Sequence, residues 1–260
     1  MTNSTAVQHQ DSAAGPKMPC ECTELLSAAD LELKISSCRR CESTLCRYGI
    51  EPRPVFDGRA WAPVFLLGQA PGKTEYELRK PFQGETGKAI KSLFHSCGLR
   101  DFERVVYQTS VTKCFPGRRE GTSADRMPSV REVKNCIPFL SQQLDMVKPK
   151  LLVCLGLLSW KAFLSMHEAD QPGFCEQVVG ISMPNEAKIP HLVGRRFTWR
   201  GSLVIPMIHP AGSANGARSK YPDLDRKSKE LLKKSFLEIG IPDLEHCPSH
   251  PPVSEKLTPL

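Results

Sequence analysis

No run of apolar residues approaches the ~18 that a membrane-spanning helix requires, so no segment reads as one. Met1 to Lys17 is polar and lacks the apolar stretch of a secretory leader, which points to an intracellular protein. No internal repeat is present, so a stacked-repeat architecture is not expected. The chain has neither the G-x-x-x-x-G-K-[ST] loop of the Walker nucleotide binders nor a G-x-G-x-x-G dinucleotide turn. What is present is length, base and sulfur. The 260 residues, 40% hydrophobic, suffice for one sizeable core. Lys and Arg outnumber Asp and Glu by 35 to 28, a net +7 that suits a polyanionic partner. Eleven cysteines is a high count for a chain whose thiols stay reduced, so they read as metal ligands or buried thiols rather than disulfides.

Residues 1–23 carry Ser, Thr, Gln, Gly and Pro without periodicity and are expected to be a disordered tail. Residues 242–260 form a second, Pro-rich tail. Residues 24–241 between them make one domain. Four short apolar runs there read as buried strands: Val64–Leu67, Val105–Val111, Leu151–Leu155 and Leu203–Ile208. Amphipathic helices are expected over Lys88–Cys97, Val130–Val147, Leu157–Met166 and Arg226–Ile239. Strands alternating with helices predict a three-layer α/β/α sandwich around a central, mainly parallel four-stranded sheet. Ligands in such folds sit beyond the C-terminal ends of the strands. That rule singles out the loops at 68–72, 110–116, 156 and 209–212.

Those loops carry chemistry. Gly68-Gln69-Ala70-Pro71-Gly72 is a strand-to-helix turn whose backbone N–H groups suit an anion or an activated water. Glu75 and Glu77 follow and could polarise that water, although either also fits as a solvated cap carboxylate. Phe82, between Pro81 and Gln83-Gly84, could stack on a base or simply pack into the core. His209, with Pro210 after it, follows the last strand, where an imidazole can donate a proton or polarise a leaving group. Lys113, Arg118, Arg119, Arg218 and Lys220 flank these loops and could grip phosphates or form a solvated face. Cys38 and Cys41 form a C-x-x-C pair. With Cys114 and Cys136 they could close a four-thiolate site, for which Cys20, Cys22 and Cys46 are rival members. A tetrathiolate takes zinc or an iron–sulfur cluster, and ligand type does not separate the two.

Taken together, these motifs resemble the uracil-DNA glycosylase superfamily, most closely its family 4 iron–sulfur enzymes, over about residues 35–240. The 68–72 turn resembles the family's G-E-x-P-G motif. Pro81 to Gly87 resembles P-F-x-G-x-x-G, Tyr107 to Cys114 resembles Y-x-T-N-x-x-K-C, and His209-Pro210-Ala211 resembles H-P-[SA]. The resemblance implies a structural [4Fe–4S] cluster on Cys38, Cys41, Cys114 and Cys136. It implies a base flipped out of DNA onto Phe82 and Ser110. Gly68, Ala70, Pro71 and Gly72 would frame the pocket, with Gln69 and Glu75 managing the water. His209 would stabilise the leaving anion, and Lys113 and Pro210 would hold phosphate. It also implies a monomeric, cytoplasmic, nucleoid-associated repair enzyme that binds DNA and no membrane, with nuclear or organelle import left open.

Four departures bear on function. Gln69 stands where the family has Glu, and an amide is no base. Ser110 stands where the family has Asn, and a hydroxyl reads a base edge less selectively than a carboxamide. The stretch 117–130 is long and basic but has no His, so the covalent cross-linking of X-type relatives is not carried over. The loop after His209 has no large apolar wedge, which favours single-stranded or mismatched DNA. Two rivals remain: a catalytically weakened iron–sulfur DNA-binding protein of the same fold, and a zinc-stabilised interaction protein.

Overall fold

The computed structural model describes residues 27–210 and 214–241. The two expected tails lie outside the described residues. The strands are β1 (Val64–Gly68), β2 (Val106–Ser110), β3 (Leu151–Leu155), β4 (Phe197–Trp199) and β5 (Ser202–Met207). The α-helices begin with α1 (Ala28–Ser36), α2 (Glu42–Leu45), α3 (Lys73–Leu78), α4 (Glu85–Ser96) and α5 (Phe102–Val105). They continue with α6 (Val130–Val147), α7 (Leu157–Asp170), α8 (Ile189–Leu192), α9 (Asn215–Lys220) and α10 (Pro222–Glu238).

The strand order is β2-β1-β3-β5-β4. The first four pair in parallel, while β4 runs antiparallel to β5. The sheet is thus mainly parallel, with one strand more than the four expected. β4 has only three residues, of which just Phe197 and Trp199 are buried, so it offers no apolar run. Its pairing comes from a two-residue hairpin loop. Arg200 and Gly201 both have positive φ (48° and 78°), which matches the twist of the flanking strands. Arg200 is held there by Asp170 and Asp145, at 2.6 and 2.8 Å, and by the face of Trp199.

Alternate residues of the central strands feed two cores, as the two-residue period of a strand dictates. Phe65, Leu67, Leu152, Cys154 and Val204 face the core that includes Leu140, Leu144 and Phe163. Val64, Leu66, Leu151, Val153 and Ile205 face the other, with Phe94, Leu232 and Phe236. Helices therefore cover both faces in three layers. The N-terminal α1 lies outside them, its Leu31 and Ile35 packed on Phe139 of α6. The chain leaves β1 towards β2 on one side and crosses to β3 on the other. The crevice between the C-terminal ends of β1 and β3 is the topological switch point, where ligands bind in such sheets.

Candidate active site and cysteine cavity

At the end of β1, Gly68 leaves room for two side chains from other elements. A Cβ there would stand 3.0 Å from Ser110 Oγ and 3.1 Å from Phe82 Cζ. Phe82, Ser110 and the backbone of Gly68 therefore share one wall beside the switch point. Phe82 is 8% exposed and has φ +51°, a left-handed conformation that costs a bulky residue about 1–3 kcal/mol. Close packing holds it: a Cβ on Gly87 would fall 1.8 Å from the Phe82 carbonyl oxygen, so α4 touches this loop backbone to backbone. The Gln83 side-chain amide also donates to the Pro81 carbonyl, at 2.9 Å.

His209 follows β5 and meets Gln69 across the crevice. A Cβ on Gly156, which has φ +81°, would lie 3.2 Å from His209 Cβ and 3.3 Å from the Gln69 amide. Burial, with the Arg218 guanidinium adding to it, pushes the His209 imidazole below its ordinary value of 6.5. It is therefore neutral at pH 7, the form that donates through one ring nitrogen and accepts through the other. Arg218 donates to the His209 carbonyl at 2.9 Å and also to the Asn215 side chain, so it ties α9 to the residue that carries the imidazole. The Gln69 side-chain oxygen accepts from Leu158 N at 3.2 Å, satisfying an N–H in the first turn of α7. Ala70 and Gly72 are half-buried and Pro71 is buried on the same turn, and Pro210 is half-buried beyond His209.

The Glu75 carboxylate is fully engaged by backbone. One oxygen accepts from Gly72 N at 3.1 Å, and the other from Gln83 N at 2.9 Å and Gly84 N at 2.8 Å. A second carboxylate stands beside it, one that sequence reasoning missed. Asp125 Oδ2 would be 3.1 Å from a Cβ on Gly72. The residue is exposed overall. Yet partial burial of its carboxyl raises its pKa, with neighbouring Glu75 adding and Arg118 opposing. It arrives on the long 117–130 stretch, where Arg118 and Asp125 form an antiparallel bridge. Nothing local in Ala124-Asp125-Arg126 signals that approach. Arg118, Arg119 and Lys220 stay exposed near these loops.

Lys113 departs from expectation. It is 1% exposed, and its ammonium donates to the Ser110 carbonyl at 2.5 Å. Burial drives its pKa down to about 7, against the nearby Cys136 and Cys114 thiols. A side chain so enclosed does not reach a DNA phosphate. It ties the end of β2 to the cysteine site instead.

Cys38, Cys41, Cys114 and Cys136 line one largely apolar cavity with Ile35, Leu45, Pro52, Pro54 and Phe139. Thr112, Lys113 and Asn135 also line it. Cys46 is exposed and does not line it, and the rivals Cys20 and Cys22 lie outside the described residues. Burial pushes the Cys114 thiol up to about 12 and raises Cys41 and Cys136 as well. Uncompensated thiols here are therefore protonated, and a bound cation would reverse that. The surroundings fit a thiolate-bound group. The Asn135 amide donates to Cys41 Sγ at 3.3 Å, and the buried Thr112 hydroxyl has no partner among the described residues. Four thiolates around one zinc would stand roughly 3.8 Å apart, given Zn–S bonds of about 2.3 Å. Among the described residues, no three His, Cys, Asp or Glu side chains are grouped to hold a single ion.

The comparisons with known proteins agree with this geometry. The sequence model of the uracil DNA glycosylase superfamily matches residues 56–233. A type-4 uracil-DNA glycosylase of Archaeoglobus fulgidus is 34% identical over 144 residues, 55% of this chain and 67% of the relative. One from Sulfurisphaera tokodaii is 28% identical over 214 residues, covering 80% and 83% of the two chains. One from Pyrobaculum aerophilum is 32% identical over 132 residues, 51% of this chain and 62% of the relative. With more than half of its length matched by that sequence model, the chain belongs to the uracil DNA glycosylase superfamily.

Proposed function

We propose that this protein hydrolyses the N-glycosidic bond of uracil, or of a related deaminated base, in DNA. The observation that carries the reading is the convergence of Phe82, Ser110, Gln69 and His209 on the switch-point crevice. A base drawn out of the stack would lie against the Phe82 ring, with Ser110 and the Gly68 backbone at its edge. Neutral His209 would donate to the base oxygen as negative charge develops there, the largest single contribution available to this site. The proton stays on the imidazole, and the departing anion carries the hydrogen bond away from C1′. Asp125, beside the 68–72 turn, would orient and deprotonate the attacking water. The Gln69 oxygen is engaged with α7 and Glu75 with three backbone N–H groups, whereas the Asp125 carboxyl takes a backbone bond from Lys73 alone. Single-stranded or mismatched DNA is the favoured substrate, bound by a monomer, with Arg118, Arg119 and Lys220 supplying phosphate contacts.

The four cysteines would hold a [4Fe–4S] cluster that serves structure rather than chemistry. It would cross-link the segment after α1, the end of β2 and α6. Among the described residues, no helix is long and apolar enough to cross a membrane.

The test is a glycosylase assay on single-stranded and duplex oligonucleotides carrying uracil, hypoxanthine or xanthine, run beside His209→Ala. Abasic product from wild type and none from the variant is expected. No product from either at stoichiometric protein would overturn the reading. A second reading, a weakened member that binds DNA without cleaving it, draws on the amide at position 69 and the engaged carboxylate of Glu75. Tight binding of uracil-containing DNA with no abasic product would favour it.

A further inference from the structure

The Glu75 side chain bonds the backbones of both loops of the pocket. Its Oε2 holds Gly72 N, at the end of the 68–72 turn. Its Oε1 holds Gln83 N and Gly84 N, directly after Phe82. Phe82 is the strained residue of that second loop, at φ +51°. Two of the three bonds therefore fall on the peptides that fix where the strained turn ends and α4 begins. The glycines on either side leave the carboxylate no slack. A Cβ on Gly72 would meet Glu75 Oε2 at 2.8 Å, and one on Gly84 would meet Oε1 at 3.3 Å.

We infer that Glu75 is a positioning residue for base binding: its carboxylate locks the Phe82 platform to the 68–72 turn, so that stacking surface and water-holding loop form one rigid unit. The inference rests on the glycosylase reading and gives Glu75 a role other than that of the base. Both of its oxygens are already taken up by backbone N–H groups of the two loops. The same bonds suit it to hold a conformation that is unfavourable by itself. The lock predicts a particular failure. A misplaced platform weakens contacts made in ground state and transition state alike, so KM rises more than kcat falls. Loss of a base would lower kcat, leave KM, and remove the acidic limb of the pH–rate profile.

The experiment compares wild type, Glu75→Gln and Glu75→Asp on single-stranded uracil DNA across pH, with hydrogen exchange of each full-length protein. Gln presents an NH2 to N–H donors on one side, and Asp falls one methylene short of spanning both loops. Both variants should raise KM on the order of tenfold or more, the scale of a lost charge-assisted hydrogen bond. Both should keep the acidic limb and lose amide protection in peptides covering 68–74 and 81–87, with β3 and α6 unchanged. Unchanged protection at those loops would overturn the inference. So would a loss confined to kcat with the acidic limb gone, or protection lost across the whole sheet, which would make the bonds a folding element. If wild type itself leaves no abasic sites, the glycosylase reading fails. The exchange data then still decide whether Glu75 joins the two loops.

Discussion

At the scale of single residues, backbone proximity decides what each position tolerates. Gly87→Ala forces a methyl group to within 1.8 Å of the Phe82 carbonyl, so α4 or the Phe82 turn must shift. The expected cost is about 1–3 kcal/mol, that of overpacking, read as a lowered urea midpoint with an unchanged slope. Gly68→Ala meets only side-chain atoms, at 3.0 and 3.1 Å. It should fold normally and yet weaken uracil DNA binding, visible as a raised KM. His209 carries a pH signature. Its folded pKa lies below the ordinary 6.5, first because of burial and then because of Arg218. The unfolded chain therefore binds more protons in the window below 6.5. The contribution to stability is complete above that window and is lost as pH falls through it. Urea midpoints between pH 7.5 and pH 5 should drop more steeply for wild type than for His209→Gln, and parallel curves would contradict the assignment.

At the scale of elements, α6 organises the cysteine side of the molecule. Its N-cap is a reciprocal box: Ser129 Oγ accepts from Glu132 N at 3.3 Å, while Glu132 accepts from Ser129 N at 2.7 Å. Arg126 adds two bonds to the same carboxylate, at 2.8 and 2.6 Å, and lies 4.2 Å over the Tyr48 ring. These contacts fasten the end of the 117–130 stretch to the helix that bears Cys136, one turn from Glu132. Glu132 is 3% exposed, so Glu132→Ala leaves a largely buried guanidinium without its counter-charge. About 3–5 kcal/mol is the expected loss, with a clear fall in Tm by calorimetry. Because the same stretch carries Asp125 to Gly72, activity should fall further than stability alone predicts.

At the scale of the whole molecule, the cysteine cavity joins parts of the chain that the sheet does not. Cys38 and Cys41 follow α1, Cys114 follows β2, and Cys136 lies in α6. Anaerobically purified protein should absorb near ~400 nm and contain iron and sulfide. Cys136→Ser should bleach that band and lower Tm, while Cys46→Ser, an exposed thiol away from the cavity, should change neither. One zinc per chain with no sulfide would replace the cluster assignment.

The sequence by itself determined whatever depends on contiguous residues. The fully buried runs of β1 and β3 have no polar residue to expose, so they are legible as central strands. The apolar period of α6 marks a helix whose observed bounds are those expected, Val130–Val147. The glycine turn, the C-x-x-C pair and the His-Pro step are likewise local. Tertiary structure alone decided the rest. β4 exists because β5 offers a partner across an Arg-Gly hairpin. Lys113 is buried because its ammonium turns back onto the Ser110 carbonyl and the side chain lies among the separate segments that line the cysteine cavity, which removes it from the DNA surface. The reach of Glu75 to Gln83 and the approach of Asp125 to Gly72 join residues from separate segments, and no pattern in either segment encodes a meeting that packing creates. A side chain's chemistry is written at its own position, but whether it acts as base, clamp or ligand depends on which N–H groups and charges the fold brings to it.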